Sequence, residues 1–171
     1  CGSKDNLARY DDGHAFCFSQ GCGYRERADG SAPRKTPTAT GFTPLQGEFK
    51  SLKSRCISEA TCKLYGYRMT TFKGQPAHVV DVVDRTTGQL LAQKIRGPEK
   101  AFAVLGDIST KPLIGAQLWH GGKRLVITEG EIDMLTVSEV QGNKWPVVSL
   151  PNGAAAAKKC LLANIDYLKQ F

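Results

Sequence analysis

The run Leu125-Val-Ile-Thr-Glu-Gly-Glu-Ile-Asp133 constrains this chain more than any other stretch. An apolar strand ends there, and three carboxylates, Glu129, Glu131 and Asp133, follow at alternate positions. Gly130 lets the backbone turn at low steric cost. The pattern around it alternates. Arg124–Thr128 predicts a strand, Ile132–Gln141 a helix stopped by Gly142, Pro146–Leu150 a strand, and Ala154–Leu162 a helix after the Pro151-Asn152-Gly153 turn. Strand–helix alternation of this kind builds a parallel, doubly wound α/β unit. In open sheets of that class, ligands bind outside the carboxyl ends of the strands. Clustered carboxylates repel one another unless a cation sits among them, and oxygen-only ligands suit Mg²⁺. Magnesium polarises phosphates and helps generate a nucleophilic alkoxide. An acidic turn also stabilises a helix N-terminus through the dipole alone, so both readings stand at this point.

Upstream the pattern changes. Ser58 can cap a short helix to Leu64, with Gly66 as its stop. Tyr67–Lys73, Ala77–Val83 and Gln89–Ile95 are rich in β-branched or aromatic residues and are separated by turn sequences, which predicts an antiparallel meander. Residues 97–122 read as irregular, with a helical turn near Leu113–Leu118, and the last residues lead toward a further strand. The whole is therefore α/β: an α+β subdomain over 49–122 followed by a Rossmann-like half-domain over 123–171. Residues 25–48 hold Pro33, Pro37 and Pro44 among Thr and Gly, the composition of a linker. The net charge of +7 is uneven, since residues 41–125 carry thirteen basic and six acidic side chains. A basic surface favours a polyanion, most commonly nucleic acid; a merely soluble surface is the alternative. No apolar run approaches the roughly 20 residues of a membrane helix, and no basic leader with an apolar segment opens the sequence.

Residues 1–24 are too few to bury a sufficient core and need a staple. They contain Cys1, Cys17 and Cys22. Without a secretory leader, metal is favoured over disulfides. Zinc takes four thiolate or imidazole ligands, often as two close pairs about 15–20 residues apart. Cys17 and Cys22 make one pair, and Cys1 stands where the second cysteine of the other should be. This predicts a zinc ribbon whose first ligand lies upstream, with His14 as a substitute fourth ligand or three unrelated thiols as the alternatives. Cys56, Cys62 and Cys160 lack such spacing and read as buried or half-buried thiols.

These residues resemble a known family. Ile127-Thr-Glu-Gly-Glu-Ile-Asp-Met-Leu135 resembles the first acidic motif of a TOPRIM domain. Trp119-His-Gly-Gly-Lys-Arg124, Pro146–Leu150 and Gly153–Lys159 resemble the primase half of bacteriophage primase–helicases, relatives of the mitochondrial helicase Twinkle. Arg55–Lys63, Gly66-Tyr67 and Ala92–Arg96 fit the same family. The resemblance covers nearly the whole chain in order: zinc ribbon, linker, basic subdomain, first half of TOPRIM. It implies a DNA primase that joins ribonucleoside triphosphates into short RNA primers on a single-stranded DNA template during replication. Glu129 is then the acidic residue most tied to catalysis, assisting deprotonation of the 3′-hydroxyl, with Glu131 and Asp133 as its acidic, Mg²⁺-related surroundings. Lys94, Arg96 and Lys100 hold template or nucleotide phosphate, and Asp12 and His14 help the ribbon read the template.

The resemblance also implies structural Zn²⁺, catalytic Mg²⁺, a helicase domain in the same full-length chain, a replicative DNA polymerase as partner, and the bacterial host cytoplasm as the place of work for a phage protein. A TOPRIM site further needs an Asp-x-Asp motif, expected after Phe171, and a cysteine is expected before Cys1. The sequence thus reads as a fragment cut at both ends and inactive alone. The competing reading is a non-catalytic zinc/TOPRIM DNA-binding protein of the recombination-mediator kind. A topoisomerase or nuclease finds no specific support in the residues.

Overall fold

The structure, a computed structural model, describes residues 7–11, 13, 15–17, 25–26 and 42–171. The chain divides into two units, 1–40 and 41–171. In the first, strands β1 (Leu7–Arg9), β2 (Ala15–Cys17) and β3 (Arg25–Glu26) form an antiparallel sheet in that order. Arg25 and Glu26 are thus strand where a linker was expected. Cys1, Asp12, His14 and Cys22 lie outside the described residues, and Cys17 is described only as part of β2.

The second unit is mixed α/β. Helix α1 (Glu59–Leu64) starts where the serine predicts: Ser58 Oγ accepts from the Thr61 N–H, and Gly66 follows at φ +69°. A four-stranded antiparallel meander comes next, of β4 (Tyr67–Phe72), β5 (Gln75–Val83), β6 (Leu90–Arg96) and β7 (Phe102–Gly106). The fourth strand corrects the reading of 97–122 as irregular. It is an edge strand whose partner, β6, is known only once the sheet has formed, and the turn before it runs through Glu99 and Lys100 at φ +51° and +61°. Ala116–Leu118 then makes one 3-10 turn.

Strands β8 (Val126–Thr128) and β9 (Val147–Ser149) pair in parallel, joined by helix α2 (Glu131–Val140). The end of the unit is helical: α3 (Ala157–Ala163) and α4 (Ile165–Leu168), the latter absent from the sequence reading. Nor are residues 42–48 a free linker. Glu48 and Met69 exchange backbone hydrogen bonds at 2.9 Å each way, and Leu45 bonds the Gln93 side chain through both its N–H (2.7 Å) and its carbonyl (3.1 Å). Buried Gln93 needs partners, and this segment supplies them together with Asp81, whose Oδ1 accepts from Gln93 Nε2 at 2.8 Å.

The two faces of the meander take different partners. Tyr67, Val80, Val82 and Ala92 pack against Cys62 and Tyr65 of the α1 region and against Ile132, Met134, Leu135 and Val147 of the parallel unit. Ala77, Val79 and Ile95 face the other way, under Leu45 and Phe72. The shared first core welds the meander to the parallel unit, and each fully buried aliphatic in it contributes about 1.5–3 kcal/mol. Cys62 and Cys160 are buried in the cores, whereas Cys56 is exposed.

Candidate nucleotide and nucleic-acid cleft

Period-2 alternation along β6 sends Ala92 into the core and carries Lys94 and Arg96 out on the same face. There they meet the carboxyl ends of β8 and β9. A cleft of about 780 Å³ lies at that junction. Lys94, Arg96 and Lys100 line it on the sheet side, and Glu129, Asp133 and the turn Pro151-Asn152-Gly153 on the other. The structure thus brings into one space the three cations and two of the three carboxylates that the sequence singled out for the second unit.

Glu129 is exposed, in the loop that ends β8. Its Oε1 accepts from the Ala154 N–H at 3.4 Å, just beyond the carboxyl end of β9. Gly153 makes this approach through its backbone, at φ +67°, and a Cβ there would lie in ordinary contact, 3.4 Å, with Glu129 Oε1. Asp133 is exposed in the first turn of α2. Glu131 behaves differently. It is 8% exposed, does not line the cleft, and its Oε1 accepts from Lys94 Nζ in an ion pair. Helical geometry explains the split: two residues along α2 turn by about 200°, so Glu131 and Asp133 cannot share a face.

Arg55 and Phe102 also line the cleft, and neither was singled out. Arg55 comes from a 3-10 turn, Lys53–Arg55, far from the others in sequence. Phe102 is 60% exposed, with the Arg96 guanidinium carbon 5.8 Å from its ring centre. The Pro-Asn-Gly turn could have been found, because it follows a strand's carboxyl end as Glu129 does. The positive potential registers on a neighbour: burial, then Arg96 and Arg55, push the His78 imidazole below its ordinary value. A second hollow, of about 730 Å³, opens at the amino ends of β8 and β9 beside Trp119, Lys123, Arg124 and Trp145, but no carboxylate lines it.

Residues 47–106 match the family described as bacteriophage T7 DNA helicase/primase, N-terminal a+b fold. The crystal structure of the primase fragment of the bacteriophage T7 primase-helicase protein superposes with a TM-score of 0.73 at 40% identity, covering 100% of this chain and 73% of that one. The chain belongs to the T7-type phage primase family. It is also 39% identical over 184 residues to a DNA helicase/primase of Enterobacteria phage T3, and spans 32% of that protein's length. A further similar structure holds the T7 lagging-strand DNA polymerase interacting with primase domains of two subunits bound to an RNA/DNA hybrid and dTTP. The likeness has a TM-score of 0.70 at 43% identity and covers 78% of this chain and 68% of that one. Among the described residues of this family member, no group of three His, Cys, Asp or Glu is placed to hold a metal, and no helix is long and apolar enough to cross a membrane.

Proposed function

We propose that this chain is the primase part of a phage primase–helicase and that its cleft is where RNA primers are synthesised on single-stranded DNA. The observation that supports this most is the meeting of exposed carboxylates with several cations in one cleft, on a chain of the primase family. Family membership favours polymerisation over mere DNA holding, which the charges alone suit equally well.

In this reading the β8–α2–β9 unit is the first half of a TOPRIM domain. Arg55, Arg96 and Lys100 hold the phosphates of template and nucleotide, and Lys94 completes that wall. Glu129 accepts the proton of the attacking 3′-hydroxyl, which then bonds to the α-phosphorus of the incoming nucleotide as pyrophosphate leaves. The cations hold the reacting phosphate near the hydroxyl, and that positioning carries much of the rate. Glu129 and Asp133 fit Mg²⁺: they are exposed oxygen donors on one cleft, and this ion commonly takes one or two carboxylates together with substrate phosphates. When bound, it neutralises charge developing on the transferred phosphate.

Zinc on Cys1, Cys17 and Cys22, with Asp12 and His14 reading the template, rests on the chemistry of those donors and on the resemblance. The same proposal extends to a helicase domain in the full-length protein, to contact with a replicative DNA polymerase, and to action in the host cytoplasm.

The test is incorporation of labelled ribonucleotides by the full-length protein on single-stranded DNA with Mg²⁺. Glu129→Gln should lower the rate by about 10²-fold or more, the scale of removing a general base. Full synthesis by that variant would remove Glu129 from the mechanism, and binding without any incorporation by the native protein would favour the recombination-mediator reading.

A further inference from the structure

The Lys94–Glu131 ion pair joins residues 37 apart in sequence, one on the meander and one on the first turn of α2. Both side chains are almost withdrawn from water, at 13% and 10% exposure. Lys94 nonetheless lines the cleft, while Glu131 does not. A lysine carries four flexible methylenes and a compact charge, and loses much rotamer freedom if one direction is imposed on it. A buried carboxylate behind the ammonium imposes that direction. It occupies one of the three donor positions and leaves the others for a ligand in the cleft. Glu131 is poorly placed to join Glu129 and Asp133 on a metal, because its carboxylate lies on another face of α2 and its Oε1 is engaged by the lysine.

We propose that Glu131 is a positioning residue that fixes Lys94 as one of the phosphate-facing cations of the cleft, and that it is not a metal ligand. The inference rests on the phosphate-binding reading above and reassigns one of its acids. The phosphate can belong to a nucleotide or to the template strand, so both are measured.

With the full-length protein, calorimetry reads ribonucleoside triphosphate affinity across a magnesium titration, and fluorescence anisotropy reads single-stranded DNA affinity. Glu131→Gln should weaken at least one of the two ligands by about tenfold, the scale of removing one charge-assisted hydrogen bond. It should leave the magnesium midpoint of nucleotide binding within about twofold, whereas Asp133→Asn moves it. The exchanged pair, Lys94→Glu with Glu131→Lys, keeps an ion pair and the fold while moving the cation from the sheet to the helix. It should recover the melting temperature and not the phosphate affinity, and it decides the matter where Glu131→Gln folds poorly. A magnesium midpoint that moves with Glu131→Gln as it does with Asp133→Asn would overturn the proposal. So would unchanged affinity for both ligands, or full recovery of affinity in the exchanged pair. Binding is read without turnover, so this pattern in a protein that makes no RNA would sink the polymerase reading and leave the role of Glu131 standing.

Discussion

Gly153 sits at φ +67° and ψ −173°, a region that side chains with a Cβ enter only under strain. The turn it permits brings the Ala154 N–H to Glu129. Alanine there costs about 1–3 kcal/mol of backbone strain, while its Cβ would meet the same carboxylate only at ordinary contact distance. Gly153→Ala should therefore lower the melting temperature by several degrees and, in the full-length protein, cut the proposed primer synthesis more than it weakens nucleotide binding. Paired melting and turnover measurements check this, and an unchanged melting temperature would mean that the turn relaxes without cost. Gly106 is more tightly confined, because a Cβ would lie 2.4 Å from the Leu91 carbonyl oxygen at φ +89°. Neither requirement is legible from a glycine in a sequence, because both depend on what lies across the fold.

Helices α1 and α2 are coupled through Glu139. Its Oε2 accepts from the Ser58 N–H at 2.8 Å, from Ser58 Oγ at 2.8 Å and from Thr61 Oγ1 at 2.5 Å, so one helix anchors the residue that caps the other. The Thr61 hydroxyl above all, then the Ser58 N–H, holds this carboxyl below its ordinary value of 4.5. A lowered folded-state value means that the unfolded chain binds the proton more readily. The stabilisation is complete above about pH 4.5 and disappears as pH falls through the lowered value. Glu139→Gln should cost about 1 kcal/mol at pH 7, and the gap to the native protein should close at an acid pH below the lowered value. Denaturant melts at the two pH values test it, and a gap that stays constant would exclude the carboxylate as its source. The helix start at Ser58 was legible because a cap is a local signal; the carboxylate from α2 was not, because it acts across a contact between elements.

At the scale of the second unit, part of the surplus charge of residues 41–125 is gathered where the meander meets the parallel strands. Arg55, from one stretch of the chain, and Lys94, Arg96 and Lys100, from another, converge on one cleft. Removing one cation from a phosphate should reduce the salt dependence of DNA binding by about one unit of log–log slope. Arg55→Ala and Arg96→Ala in the full-length protein should each flatten that slope and weaken binding. An unchanged slope in both would place the DNA elsewhere on the surface.

The α/β alternation, the first three strands of the meander, the Ser58 cap and the acidic turn are local matters of period, capping and turn chemistry, and the sequence carried them unaided. It also placed Glu129 at the end of a strand, where such sheets bind ligands. Which carboxylates share a space was decided by the register of α2, which begins at Glu131, together with a tertiary contact that no local signal carries. The rotation of about 200° between Glu131 and Asp133 on α2, and the arrival of Lys94 from a different sheet, turn three acids in a row into two on the cleft and one behind a lysine.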